Sequence, residues 1–407
     1  MLDEGYQYYR IRLHYLSESH IHRIEELSGV RRFLYNFGIN YCEQLKSQGK
    51  GVPNFHTFCK LLTSMRHSEE YSWLTKYNVT SERYAFKDLV QAYTKFFNKI
   101  NRYPKFKTKK RSNICCVIRD DRFRLKGENG EYAFIPGVSE SIDDLIYIGK
   151  HRIPYAGNIE YDNIRIKSDG VHYWLSLSCK IRKPFSYVEP PLEDFSEGIG
   201  VDVGIRTTAT LSDGTIYDPP NKAKLDRLAR RKHYISASIT RDRNKRVKQS
   251  IRTKTKYEEI PKSKNQMQRE EKYLKTCIRM RNIIDSHNHK VSREIANRKP
   301  RFVVIESLSV GRMEKQNKYV APYIHRASMF QLTQYIAYKC QDVGSQVIFA
   351  DNRFKSSQIC SRCGGITKPG AKKTYTCQYC GLVIDRDYNA ALNLRDYGYQ
   401  ILNQNRT

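Results

Sequence analysis

Three carboxylates and four thiols are the groups whose types and spacing could do chemistry. Asp202 lies within Gly198-Ile199-Gly200-Val201-Asp202-Val203-Gly204, an otherwise apolar run. Strict alternation sends Ile199, Val201 and Val203 to one face and Gly200, Asp202 and Gly204 to the other. A strand here would leave open space on both sides of the acid. Asp213-Gly214 then supplies a tight turn, and Thr215-Ile216-Tyr217 returns as the second arm of a hairpin. Glu306 closes the apolar run Phe302-Val303-Val304-Ile305, which is short enough for a buried parallel strand. Asp387 shares a helical face with Ala390, Ala391 and Leu394, in the first turn of a helix whose small residues permit close approach to a sheet. Asp385, two residues earlier, suits a helix N-cap.

The thiols are Cys360, Cys363, Cys377 and Cys380, spaced C-x2-C-x13-C-x2-C, with Gly364 and Gly381 directly after the two pairs. Four thiolates at this spacing satisfy one tetrahedral Zn²⁺ with no open position, so the expected zinc is structural. The acids suggest a different ion. Carboxylate oxygens and water suit two Mg²⁺ or Mn²⁺ ions about 4 Å apart, which activate a water and stabilise the leaving 3′ oxygen of a phosphodiester. A strand carrying Asp and followed by a hairpin is how ribonuclease-H-like folds begin. Actin-like ATPases open with a similar strand and use it for phosphate, and a lone strand Asp also serves as a hydrogen-bonding residue beside a turn. Glu306 and Asp387, each at the end of an element, favour metal-dependent nucleic-acid hydrolysis.

Bulk composition agrees. The 407 residues exceed one ordinary core and suggest two to four modules. A formal net charge of +30 is tolerable mainly when a polyanion neutralises it, which makes nucleic acid the expected partner. The 30 tyrosines offer rings for stacking on bases, although tyrosines also pack in cores. No apolar run approaches ~20 residues and no export signal follows Met1-Leu2-Asp3-Glu4, so no membrane partner and an intracellular, nucleoid-associated setting are expected. Eleven cysteines, an odd number, argue for metal binding or burial over disulfides.

The elements that must position these groups follow in order. Residues 6–16 alternate as a strand, and helical patterns run through Ile21, Ile24, Leu27 and Leu34, over 56–66, and over 81–98 with Phe86, Leu89, Tyr93 and Phe97 in one stripe. The run from Asn101 to Arg111 interleaves Tyr103 and Phe106 with Lys105, Lys107, Lys109, Lys110 and Arg111 and is expected to contact a phosphate backbone, the alternative being a solvated linker. Short β runs begin at Cys115, and Asp169-Gly170 marks a hairpin of type I′. Together with the first strand these would close a small barrel into which the helices are inserted. Pro184, Pro190 and Pro191 mark a linker. Beyond the Asp202 hairpin, a very basic helical segment from Asn221 to about Lys264 carries Arg227, Arg230 and Arg231, and a second helix over Gln266–Asn297 includes His287, expected as a packed or hydrogen-bonded residue. A helix over Met329–Val343 leads to the strand Val347-Ile348-Phe349-Ala350.

These residues, taken together, resemble the TnpB family of transposon-associated, RNA-guided DNA endonucleases, relatives of the compact type V CRISPR effectors. The matching residues are Arg32-Phe33-Leu34-Tyr35-Asn36, Tyr103-Pro104-Lys105-Phe106-Lys107, Gly200-Val201-Asp202-Val203-Gly204, Ile305-Glu306-Ser307-Leu308, Ser356-Ser357-Gln358-Ile359-Cys360-Ser361-Arg362-Cys363-Gly364 and Asp385-Arg386-Asp387-Tyr388-Asn389-Ala390-Ala391. The resemblance implies an α/β and β multidomain fold. Its parts are a wedge-like β-barrel over 1–19 and 112–190, a helical recognition domain over 20–111, an RNase H-like (RuvC) nuclease domain over 191–354 and 385–407, and a zinc-ribbon insert over 355–384 that binds target nucleic acid. It further implies Asp202, Glu306 and Asp387 as catalytic acids, a guide RNA, and double- and single-stranded target DNA read beside a short motif; the sequence leaves the oligomeric state open, with a monomer favoured. Alternatives of the same ancestry are a CRISPR effector with this chemistry and an RNA-guided repressor that has lost the cut.

Overall fold

The computed structural model describes residues 2–98, 101–109, 114–118, 122–151, 153, 161–184, 198–306, 328–351, 353–368 and 373–404. Lys110, Arg111, Pro190, Pro191, Ser307 and Leu308 lie outside the described residues. The chain divides into two compact units, Met1–Phe185 and Ser186–Thr407.

In the first unit, β1 (Leu2–Leu13) pairs antiparallel along its length with β7 (Tyr173–Pro184), from Leu2 opposite Pro184 to Leu13 opposite Tyr173. β6 (Tyr161–Ser168) and β2 (Cys115–Val117) extend this sheet in the order β1-β7-β6-β2. A separate sheet holds β3 (Arg124–Lys126), β4 (Tyr132–Phe134) and β5 (Ile146–Tyr147). Both sheets share a core that includes Leu13, Ile135, Ile146, Ile166 and Leu175. Among the described residues no ladder joins them and no barrel closes. The physical reason is local. β3, β4 and β5 are two or three residues long and are broken by Gly127, Gly130 and Gly137 at positive φ, so they run out of pairing length. One main-chain hydrogen bond, His14 N–H to the Tyr147 carbonyl at 2.9 Å, bridges the sheets.

The expected type I′ hairpin is a four-residue loop, because Ser168 pairs with Tyr173. Asp169 organises it: its carboxylate accepts hydrogen bonds from Val171 N–H, His172 N–H and Trp174 Nε1–H. That local acceptor competes with the two-residue turn.

Between β1 and β2 the chain forms α1 (Glu18–Ser47), α2 (Phe55–His67), a 3-10 turn (Ser72–Lys76) and α3 (Val79–Phe97). Ser17 and His20 make a reciprocal capping box at the start of α1. The helices bury their own core, with Phe58 and Phe86 stacked at 4.8 Å among Leu34, Leu62, Leu74 and Leu89. Asp88 of α3 accepts from Arg31 of α1 and Arg165 of β6, tying helices to sheet.

The second unit is built on a five-stranded sheet of order β10-β9-β8-β11-β12. Its strands are β8 (Ile199–Asp202), β9 (Ala209–Leu211), β10 (Ile216–Tyr217), β11 (Phe302–Glu306) and β12 (Gln346–Ala350). β8, β11 and β12 run parallel, and β9 and β10 form antiparallel hairpin arms. Between β10 and β11 stand α4 (Lys222–Thr253) and α5 (Lys264–Asn297); α6 (Met329–Asp342) precedes β12. Ile199, Val201, Val303 and Ile305 meet Val291 and Ile295 of α5 and Leu332 and Ile336 of α6 on one face. Phe302 and Val304 face the other way, against Leu394 of α7 (Arg386–Gln404). The alternation read along 199–203 is therefore met, and the central strands β8 and β11 are buried on both faces while β10 and β12 at the sheet edges are partly exposed.

The chain pauses between α4 and α5 at Lys254, which caps α4 in the left-handed conformation. Arg246 holds the following loop by donating to the carbonyls of Tyr257 and Ile260 while lying over the Tyr257 ring at 4.4 Å. A two-stranded sheet of β13 (Thr374–Thr376) and β14 (Val383–Asp385) leads directly into α7.

Candidate functional site

Parallel pairing of β8 with β11 sets Val201 beside Ile305, so Asp202 and Glu306 follow side by side at the carboxyl ends of adjacent strands. Both belong to the face covered by α7, since Gly200 and Val304 precede them by two. α7 brings the third acid. Asp387 sits in its first turn, buried, with Thr207 Oγ1 3.5 Å from Asp387 Oδ2 and Arg386 pairing with the other carboxylate oxygen at 3.2 Å. Asp385 Oδ1 accepts from the N–H groups of Asp387 and Tyr388 at 2.9 and 3.1 Å, which is the N-cap role expected for it.

The electrostatics record this convergence. Burial, then the charges of Asp387 and Glu306, push the Asp202 carboxyl up to about 8. Burial also raises Glu306. Carboxylates held this way resist shedding their protons unless a cation joins them, and an all-oxygen donor set is what Mg²⁺ or Mn²⁺ takes. Among the described residues the acids do not draw together as tightly as the cysteines do, whose four sulfur atoms all lie within 4.8 Å of one another.

The glycines beside Asp202 serve a purpose other than the open space expected of them. A Cβ on Gly200 would lie 2.0 Å from the Ala391 carbonyl oxygen and 2.5 Å from the Arg395 nitrogen. The vacancy is thus occupied by the α7 main chain, and it lets the helix carrying Asp387 reach the strand carrying Asp202. Gly398, one turn beyond Leu394, makes the same close approach to Phe302 and Val304 of β11. Ser212 fixes the strand from the opposite side: its Oγ accepts from Gly200 N–H at 3.1 Å and its own N–H donates to the Gly200 carbonyl at 3.0 Å. A Cβ on Gly204 would lie 3.1 Å from the Thr207 carbonyl oxygen, a tight contact with main chain on this side as well.

The cysteine cluster fits a zinc site: Cys360 and Cys380 sulfurs are 3.6 Å apart, as are those of Cys363 and Cys377. Two residues that sequence reasoning left unassigned fasten it to α7. Asn389 accepts from Ser361 N–H at 3.0 Å and donates to the Ile359 carbonyl at 2.7 Å, while Asn393 donates to the Ser356 and Ile359 carbonyls at 2.7 Å. Both are buried. The available signal was an Asn pair four residues apart on a helix whose other inward residues are Ala and Leu. The same helix therefore holds the cysteine knuckle and Asp387.

The expected nucleic-acid contacts divide by orientation. In the first unit, Tyr103 packs against Phe96 and its hydroxyl lies 3.2 Å from that of Tyr93. Lys107 turns inward over the Tyr35 ring at 3.5 Å, its main chain gripped by Asn36 through two 2.8 Å hydrogen bonds, and burial lowers its ammonium to about 8. Lys105, Phe106 and Lys109 face outward, Lys109 lying 3.6 Å from Glu25. The segment is a strap with alternating anchors and exposed cations. In the second unit, Arg227, Arg230 and Arg231 are all exposed on α4. His287 is hydrogen-bonded to Thr208 at 3.1 Å, as expected of a packed histidine. Among the described residues no helix is long and apolar enough to cross a membrane.

Comparison with known proteins follows this geometry. Residues 330–394, from α6 through the cysteine cluster into α7, match the family model described as Cas12f1-like, TNB domain. A Streptomyces pristinaespiralis protein bearing the provisional name RNA-guided DNA endonuclease is 26% identical over 336 residues, 82% of this chain and 75% of that one. The Escherichia coli K12 protein provisionally named RNA-guided DNA endonuclease InsQ is 24% identical over 404 residues, covering 93% of this chain and 89% of its own length. The TnpB-like protein L79 of Acanthamoeba polyphaga mimivirus is 29% identical over 124 residues, 30% of this chain and 24% of the relative. The chain is thus similar along most of its length to proteins provisionally named RNA-guided DNA endonucleases, over about a third of it to a TnpB-like protein, and its cysteine-cluster end carries the Cas12f1-like family match.

Proposed function

We propose that this chain is an RNA-guided DNA endonuclease of the kind transposons carry, cutting guide-matched DNA beside a short motif. The observation that carries the reading is the approach of Asp202, Glu306 and Asp387 at the carboxyl ends of the two central strands, β8 and β11, of a sheet ordered β10-β9-β8-β11-β12. That order, with three parallel strands and an antiparallel hairpin, is the one expected of an RNase H-like, RuvC-type nuclease, and it favours hydrolysis over the phosphate-binding use of an Asp strand. The relatives' names point the same way.

In this reading Asp202, Glu306 and Asp387 would hold two Mg²⁺ or Mn²⁺ ions, which supply activation of a water and stabilisation of the leaving 3′ oxygen. The protein's own residues do the positioning. β8 and β11 fix two carboxylates by parallel register, and α7, seated on Gly200, fixes the third. Asp385 serves as the cap that starts α7. The zinc ribbon is structural, and its 355–384 segment acts as the target-nucleic-acid-binding insert within a nuclease domain of residues 191–354 and 385–407. The strands of 1–19 and 112–190 form the wedge that holds a guide RNA, and 20–111 is the recognition domain. Sequence choice is delegated to base pairing, while Lys105, Lys109, Arg227, Arg230 and Arg231 contact phosphates without reading bases. A repressor descended from the same ancestor would be expected to lack one of the acids, and all three are present.

The test is to sequence the RNA that copurifies with the protein, programme the complex with a guide, and offer plasmid targets with Mg²⁺. Asp202→Ala should abolish cleavage while guide and target binding persist. Retained cutting by that variant would overturn the assignment of the acids, and absence of any bound RNA would overturn guidance.

A further inference from the structure

Tyr15 combines two properties that stability alone does not favour. Its φ of +52° lies in the left-handed region that bulky side chains avoid, and 88% of its surface is exposed. Its position is imposed from both sides. His14 donates its main-chain N–H to Tyr147, Leu16 packs on the core, and Ser17 caps α1. Glycine would satisfy this backbone at lower cost, so the ring is retained for something outside the unit's own core.

Its surroundings say what that is. The Tyr15 and Tyr147 rings lie nearly parallel, 25° apart with centroids at 6.0 Å, and Tyr132 approaches Tyr147 at 5.3 Å. His14 lies 5.9 Å from Tyr147, and burial together with the Arg12 charge keeps its imidazole below the usual value, so it is a neutral ring at pH 7. Beside this aromatic group runs a groove of about 400 Å³ between the end of β1 and residues 148–151, with the exposed cations Arg12 and Lys150 on its rim. Stacked rings with a free face, next to fixed positive charge, match an unpaired base and its neighbouring phosphates.

We propose that this corner of the first unit is a stacking site for an unpaired nucleobase of single-stranded RNA, with Tyr15 as the platform and Arg12 and Lys150 on the flanking phosphates. The choice of RNA rests on the reading of the chain as RNA-guided, because a guide is the strand the protein would keep.

The test uses the full-length chain, washed free of nucleic acid at high salt and carrying Asp202→Ala so that probes survive. Binding of fluorescein-labelled 12-nucleotide oligouridylate, and of oligothymidylate of equal length, is followed by anisotropy. Tyr15→Gly should weaken RNA binding about tenfold while leaving the thermal midpoint equal or higher, and Tyr15→Phe should change neither. Removing Arg12 and Lys150 should lower the slope of log affinity against log salt by about 0.7 each. RNA affinity within twofold of the parent for Tyr15→Gly would overturn the site, as would a fall in binding accompanied by a fall in midpoint. DNA held as tightly as RNA, with the same loss in Tyr15→Gly, would overturn the assignment to RNA. None of these outcomes depends on cleavage: an Asp202→Ala protein that still cuts sinks the nuclease reading and leaves the platform standing.

Discussion

Gly200→Ala is the smallest change that separates the two explanations of the glycine beside Asp202. If the position were open, a methyl group would be accepted. In the structure that methyl lies 2.0 Å from the Ala391 carbonyl oxygen, and reaching an ordinary contact of about 3.4 Å requires α7 or β8 to move by about 1.4 Å. The obstructing atoms are backbone, so no side chain can rotate away. β8 is held on its other edge by both hydrogen bonds to Ser212, which makes α7 the element that yields. Overpacking of this kind costs about 1–3 kcal/mol, and the rigid geometry argues for the upper end. For a unit of this size that corresponds to a fall in thermal midpoint of about 6–12 °C. A shift of about 1 Å in Asp387 relative to Asp202 should reduce cleavage about a hundredfold. The assay is single-turnover cleavage of a guide-matched duplex in Mg²⁺, at a temperature where circular dichroism reports full folding. Cleavage within threefold of the parent and an unchanged midpoint would refute the seating of α7 on Gly200.

Cys363→Ser should release about one zinc per chain, measured by mass spectrometry of the metal content; unchanged content would remove the zinc assignment. Asn389→Ala orphans the Ser361 N–H at a cost of about 1–3 kcal/mol. It should hasten zinc loss to a chelator, and equal release rates would contradict the tether. Lys339 of α6 is buried and donates to the His289 carbonyl and Ser292 Oγ at 2.7 Å, and burial, reinforced by the Arg293 charge, lowers its ammonium from 10.5 to about 8. Between those values the unfolded chain binds a proton that the folded chain has lost, so stability rises with pH in this window and is flat in this respect below it. Relative to Lys339→Met, the parent's thermal midpoint should therefore gain between pH 7.5 and 9.5; a falling difference would reverse the sign of the argument.

The acids were legible because each ends a strand or starts a helix whose apolar pattern is unambiguous, and parallel register then does the rest. The clustering of the four cysteines was legible by spacing alone. The purpose of Gly200 was not, since its neighbours Ala391 and Arg395 lie nearly two hundred residues away and alternation reports only which way a position faces. The first unit was harder. Its strands announce themselves, but closure into a barrel depends on pairing length, and Gly127, Gly130 and Gly137 exhaust it. The basic run at 101–111 could be read only as a phosphate contact or a solvated linker, because charge pattern cannot show that Asn36 and Tyr35 capture Lys107.

The dependence of the acid site on α7 also sets a time at which it can exist. Until residues 386–404 have left the ribosome, Phe302 and Val304 lack their cover and Asp202 and Glu306 lack their third partner. The knuckle at Cys360–Cys363 is likewise without Asn389 and Asn393. A nascent or prematurely terminated chain therefore already carries its basic helix, yet its three acids are not assembled. On the proposed reading, competence to break a phosphodiester arrives only with α7, whatever the state of the rest of the chain.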